Sequence, residues 1–127
     1  MKWEKINIEE IGTITSGGTP STGNPAYWNG NIGWITPKDL SNYEFRFIIN
    51  GERNITEEGL KNSSARLVKA NSVLLSSRAP IGYLAIAAAD LTTNQGFKNI
   101  TPNEKCDSFF LFYCLKNNVE YLKSLGV

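Results

Sequence analysis

The chain has 127 residues, of which 41% are hydrophobic and 20% charged, with a formal net charge of +1. That is enough for one soluble domain with its own core, too little for two, and it excludes a binder driven by a strongly basic isoelectric point. No run of about 18 apolar residues and no signal-peptide core occurs, so a cytoplasmic, non-membrane chain is expected, and Cys106 and Cys114, eight apart without any histidine, fit neither a zinc site nor a disulfide framework.

Taken in order, Ile8 to Ile11 predicts one helical turn and Thr13 to Thr15 an extended piece. Ser16 to Pro25 crowds small, turn-forming residues into an exposed loop, in which Gly17 and Gly18 allow close backbone approach. It lacks the spacing of a phosphate-binding P-loop. Asn29, Gly30 and Asn31 predict a tight turn. Ile32 to Ile35 is strand-like, and Thr36 to Leu40 breaks the strand, leaving Lys38 and Asp39 near its end. Tyr43, Phe45 and Phe47 alternate with Glu44 and Arg46 at period two, predicting a half-buried strand with the charges outward. Thr56 to Leu60 reads as a helical turn capped by Thr56 and stopped by Gly59.

From Leu67 to Thr101 the pattern is strand, loop, strand, loop, strand, with Lys69 to Ser72 as the turn into Val73. The loops carry Ser76, Ser77 and Arg78, then Asn94 and Gln95: hydroxyls, a guanidinium and amides that read hydrogen-bonding surfaces rather than perform chemistry. Asp107 or Ser108 caps a terminal helix with apolar positions Phe112, Leu115, Val119, Leu122 and Leu125. Charge is uneven: residues 1 to 60 hold five Lys or Arg against eight Asp or Glu, a net of −3, and residues 61 to 127 hold eight against four, a net of +4. Lys61, Arg66, Lys69, Arg78 and Lys98 are opposed only by Asp90 over their span, which allows a basic, phosphate-facing surface on the central strands.

Catalysis has little support. There is no histidine to serve a serine nucleophile, and Glu57 and Glu58 are adjacent, pointing apart on a helix. The ordered series of a tryptophan near the N-terminus, Ser16 to Ser21, Tyr27 and Trp28 with Gly30, Ile32 to Leu40, Ile55 to Leu60, Ser76 to Gly82 and Thr93 to Lys98 resembles the target recognition domain of the DNA specificity subunit of type I restriction-modification systems. The likeness spans nearly the whole chain.

The resemblance implies an α+β domain with a curved, partly barrel-like mixed sheet flanked by helices and a C-terminal amphipathic helix. It implies a half-site reader of double-stranded DNA with no catalytic residue and no cofactor of its own. S-adenosylmethionine, ATP and Mg2+ would belong to the modification and restriction subunits that act with the full-length family. The chain stops where the family continues into a helical spacer and a second domain, so a single domain over residues 1–127 that docks poorly on the modification subunit is expected. Lys38, Arg66, Lys69 and Lys98 are the candidates for phosphates, and Thr19, Asn42, Arg46, Ser77 and Arg78 for base edges or close backbone contact. Two rivals stand beside this reading. One is a carbohydrate-binding module stacking sugars on exposed, coplanar Tyr27, Trp28 and Trp34; the other is a protein-interaction remnant using the terminal helix.

Overall fold

In the computed structural model, residues 12–78, 82–104 and 106–118 are described. The helical turn expected at Ile8 to Ile11, and Val119, Leu122 and Leu125 of the terminal helix, lie outside them. The strands are β1 (Gly12–Ser16), β2 (Trp28–Ile32), β3 (Trp34–Ile35), β4 (Phe47–Ile48), β5 (Val73–Ser76), β6 (Leu84–Ala87), β7 (Thr92–Thr93) and β8 (Phe97–Pro102). The helices are α1 (Pro37–Leu40), α2 (Glu57–Lys61) and α3 (Ser108–Asn117), with a 3-10 turn over Pro25–Tyr27. Five strands form one mixed sheet in the order β1-β8-β5-β6-β4, antiparallel except for β4 beside β6, and β3 pairs with β7 in parallel. Among the described residues the five-stranded sheet is open, with β1 and β4 as its edges.

Strand alternation divides the core. Val73, Leu75, Ile86 and Ile100 face Leu111, Phe112 and Leu115 of α3. Leu74, Ala85, Ala87 and Phe97 face the opposite way, against Ile35, Leu40, Ile48, Val68 and Leu91. Asp107 caps α3 by accepting from the Phe109 amide at 2.6 Å. Both cysteines are half-buried, free thiols. Burial first, then the nearby Cys114 and Asp107, raise the pKa of Cys106. Folding therefore holds its proton more tightly, and the stability this contributes below the ordinary thiol range is lost as pH rises through the higher folded value. Titration after denaturation without reductant should count both thiols, and Cys106 should alkylate more slowly in the native protein than in the unfolded one. Fewer than two thiols per chain would contradict the free state.

Several local expectations are corrected. Asn29 to Asn31 lie inside β2: Trp28 and Ile32 both bridge to Ile55, so the left-handed Asn29 (φ 62°) serves a bulge rather than a hairpin. The expected strand from Tyr43 is reduced to Phe47 and Ile48. In the parallel β4–β6 ladder only Phe47 and Ile48 pair, with Ile86 and Ala87, and just upstream the Arg46 side chain turns to the Tyr113 hydroxyl on α3. All of residues 41–47 are exposed, the aromatics included. Gly59 does not stop its helix but lies buried within α2, where a Cβ would come 2.6 Å from the Tyr27 carbonyl oxygen. Thr56 caps that helix as expected, accepting from the Gly59 amide at 3.1 Å.

Trp28 and Trp34 are buried at 7% and 6% exposure and meet edge to face, with centroids 4.9 Å apart. That removes the exposed, coplanar platform a sugar-stacking module needs. Their indole N–H groups donate to the Ser21 carbonyl at 2.9 Å and the Gly18 carbonyl at 3.0 Å. The loop expected to be exposed is thereby strapped to the core, and Gly18 and Pro20 are buried. No helix among the described residues is long and apolar enough to cross a membrane.

Candidate functional site

Among the described residues a concavity of about 560 Å³ opens where β3, β5 and β7 end. Its wall is built in three pieces. The first is Thr36, Pro37, Lys38 and Ser41, carried by α1. Asp39 fixes this corner: its carboxylate accepts from the Thr36 amide at 2.8 Å, the Thr36 hydroxyl at 3.1 Å and the Glu52 amide at 3.1 Å. The second piece is Arg78 past β5 with Tyr83 ahead of β6. The third is Asn94, Gln95 and Gly96, between β7 and β8.

The third piece is held from several sides. The Asn94 amide donates to the Ile35 carbonyl at 2.9 Å, and the Ser77 amide donates to the Gly96 carbonyl at 2.8 Å. The Asn94 side-chain oxygen accepts from the Gly96 amide at 2.9 Å, closing the turn. From behind, the fully buried Asn99 donates to the Thr93 hydroxyl at 2.9 Å, which donates in turn to the Asn94 carbonyl at 3.1 Å. The glycine loop lies along the same turn: the Gly18 amide donates to the Thr93 carbonyl at 3.0 Å, and the Thr19 hydroxyl bonds the Gln95 side-chain oxygen. Two motifs more than 70 residues apart in the chain therefore meet at one lip.

The sequence candidates distribute as follows. Lys38 and Arg78 share the cleft, both exposed, and among the described residues neither side chain has a hydrogen-bond or ion-pair partner. Asp90, the carboxylate in reach of Arg78 by sequence, instead accepts from the Ala70 amide at 2.9 Å, in the turn ahead of β5. Thr19 stands at the lip. Ser77 turns its hydroxyl towards the Gly96 carbonyl at 3.4 Å, and Asn42 is exposed just beyond Ser41. Arg66 lies apart, in a shallow hollow with Thr13 to Ser16, and the Lys98 ammonium reaches the Ser16 hydroxyl at 3.4 Å. Lys69 precedes β5, at the end opposite Arg78, so these basic residues do not gather in one place. Arg46 donates to the Tyr113 hydroxyl at 2.6 Å and lies 5.5 Å from the Phe109 ring centroid, tied to α3.

Asn94 and Gln95, whose amides the sequence marks as hydrogen-bonding groups, line the cleft, and so do Thr36, Ser41 and Tyr83, which the sequence candidates lack. The polar run after an apolar strand marks Asn94 and Gln95 in the sequence, whereas nothing local marks Tyr83. The cleft residues carry two positive charges, amides and hydroxyls that donate and accept, and no carboxylate. Such a surface suits an anionic ligand with hydrogen-bonding edges.

A family model described as the type I restriction modification DNA specificity domain matches residues 1–127. The type I restriction enzyme MjaIX specificity subunit of Methanocaldococcus jannaschii is 51% identical over 126 residues, covering 98% of this chain and 29% of that protein. The type I restriction enzyme EcoR124I/EcoR124II specificity subunit of Escherichia coli is 32% identical over 120 residues, covering 91% and 28% respectively. The crystal structure of the HsdS subunit from Thermoanaerobacter tengcongensis superposes with a TM-score of 0.72 at 20% identity, over 94% of this chain and 28% of that one. The chain thus spans less than a third of the length of these relatives.

Proposed function

Because this chain belongs to the type I restriction modification DNA specificity domain family, we propose that it binds double-stranded DNA and reads one half of a two-part recognition sequence. Partner subunits would carry out methylation and cleavage, with S-adenosylmethionine, ATP and Mg2+ bound on those subunits. The observation that carries the reading is the cleft, where two motifs of the family resemblance converge beside two unpartnered cations. Lys38 takes a phosphate there, and Arg78 and Asn94 face base edges; an arginine fits the guanine O6 and N7 pair, an asparagine the adenine N6 and N7 pair. Arg66, Lys69 and Lys98 add phosphate contacts outside the cleft, and Thr19, Asn42, Arg46 and Ser77 approach the bases or the backbone around it.

Residues 1–127 act in this reading as one recognition domain, working in the cytoplasm, with the five-stranded sheet curved in a partly barrel-like way behind the cleft. A lone half-site reader gains little beyond electrostatic attraction, so affinity for arbitrary duplexes should be on the order of 10⁻⁴ to 10⁻⁶ M. Fluorescence anisotropy of a labelled duplex across a salt series tests this. The logarithm of the binding constant should fall linearly with the logarithm of salt, whereas salt-independent binding, or none, would contradict it.

A further inference from the structure

Phe45 is 71% exposed, the most exposed large hydrophobic side chain among the described residues, yet the turn that carries it is pinned. The Tyr43 hydroxyl folds back onto the Phe47 carbonyl. Arg46 is tied to Tyr113 through its side chain, and its carbonyl accepts from the Ile86 amide at 2.6 Å. The Phe45 ring meets Tyr43 edge to face, with centroids 5.6 Å apart, and otherwise stands out on a turn fixed on both sides, preorganised for insertion because little order remains to be imposed on binding.

Its position continues the cleft. Ser41 lines the cleft four residues before Phe45, and Tyr83 belongs both to the cleft and to the hollow beside Phe45. The charged groups of that hollow are Glu44, Arg46 and Lys116, cationic in sum. Proteins that insert apolar side chains between base steps also set cations on the duplex beside them, and here those are Lys38, on a phosphate, and Arg78, on a base edge. Resting on the reading of the cleft as a duplex site, we propose that Phe45 is a wedge that enters a base step next to the half-site, unstacking it and bending the duplex. A protein partner is the competing occupant, because Phe47, Ile49, Phe109 and Phe110 extend the apolar surface along β4 and α3.

The test uses two duplexes that differ only by a central abasic site. In the abasic duplex part of the unstacking cost is already met, so the wild-type protein should bind it at least about ten-fold tighter than the intact one. Phe45→Ala should bind the two equally while keeping its circular dichroism spectrum. In Phe45→Trp the added indole emission should be quenched by duplex and not by heparin, a polyanion without bases. A preference that survives Phe45→Ala, an unquenched indole, or an effect of Phe45→Ala confined to self-association would overturn the wedge while leaving the cleft as a duplex site. Absence of any duplex binding by the wild-type protein would remove the underlying reading and the wedge together.

Discussion

Replacing Lys38 and Arg78 together by alanine should weaken duplex binding by about 60-fold at about 0.1 M salt and flatten the salt dependence by about two counterions. The magnitude follows if each cation holds one phosphate, for then each loss removes about 0.9 from the slope. If Arg78 instead meets a guanine edge, its single substitution should cost roughly 1 to 3 kcal/mol on a preferred sequence and little elsewhere. Either way the fold should not notice. Both side chains are exposed and unpartnered among the described residues, so their removal belongs with surface changes worth within about 0.5 kcal/mol of stability. Thermal melting beside the binding titration separates the cases. An Arg78→Ala protein that melts several degrees lower, and loses binding only in proportion, would show that the guanidinium supports the fold rather than a ligand.

A second large effect is expected from Gly17→Ala, the addition of one methyl group. An added Cβ would stand 2.2 Å from the Asn94 carbonyl oxygen and 2.3 Å from both the carbonyl and hydroxyl oxygens of Thr93. Two of these three are backbone atoms, and all three are engaged: Thr93 with Gly18 and Asn99, Asn94 with Thr93. They cannot withdraw without breaking the β7 turn away from its supports. A loss of roughly 3 kcal/mol, or roughly 10 °C in the melting temperature, is expected. Gly23→Ala supplies the control, because its nearest atom would be the Ser21 hydroxyl at 3.8 Å, and its melting temperature should hold. Well below its own melting point, Gly17→Ala should still bind duplex more weakly than the wild type, since the Thr19–Gln95 contact at the cleft lip depends on the same close approach. Undiminished binding in the folded variant would detach the glycine loop from the site.

The central strands were legible because each carries a short apolar run bounded by turn residues, and β5, β6 and β8 fall where Val73, Leu84 and Phe97 begin theirs. The caps at Thr56 and Asp107 were legible for the same local reason. Where partners are distant in sequence, the pattern misled. The period-two aromatics from Tyr43 to Phe47 look like a half-buried strand, but only Phe47 joins β6, and the side chains before it turn to one another and to Tyr113 on α3. Asn29 and Gly30 carry hairpin chemistry but face Ile55, some 25 residues on, and so form a bulge.

For the candidate site, the sequence identified the loop chemistry but not its geometry. Arg78 and Lys38 stand 40 residues apart in the sequence, and the fold brings them into one cleft. Lys69, part of the same basic run as Arg78, sits at the other end of β5 because the intervening strand separates them. Arg46, outward-facing by the sequence pattern, is occupied by Tyr113 on a helix 67 residues away. Charge and spacing identify groups able to bind an anion; only the folded backbone decides which of them stay unpaired and together.

The most direct test is selection of bound duplexes from a pool with a randomised central segment, carried out with the wild-type protein and with Lys38→Ala/Arg78→Ala in parallel. A half-site reader working through the cleft should enrich one short contiguous sequence with the wild-type protein and fail to enrich it with the double variant. A wild-type pool that returns without enrichment, or the same sequence recovered equally by both proteins, would contradict a recognition role for the cleft.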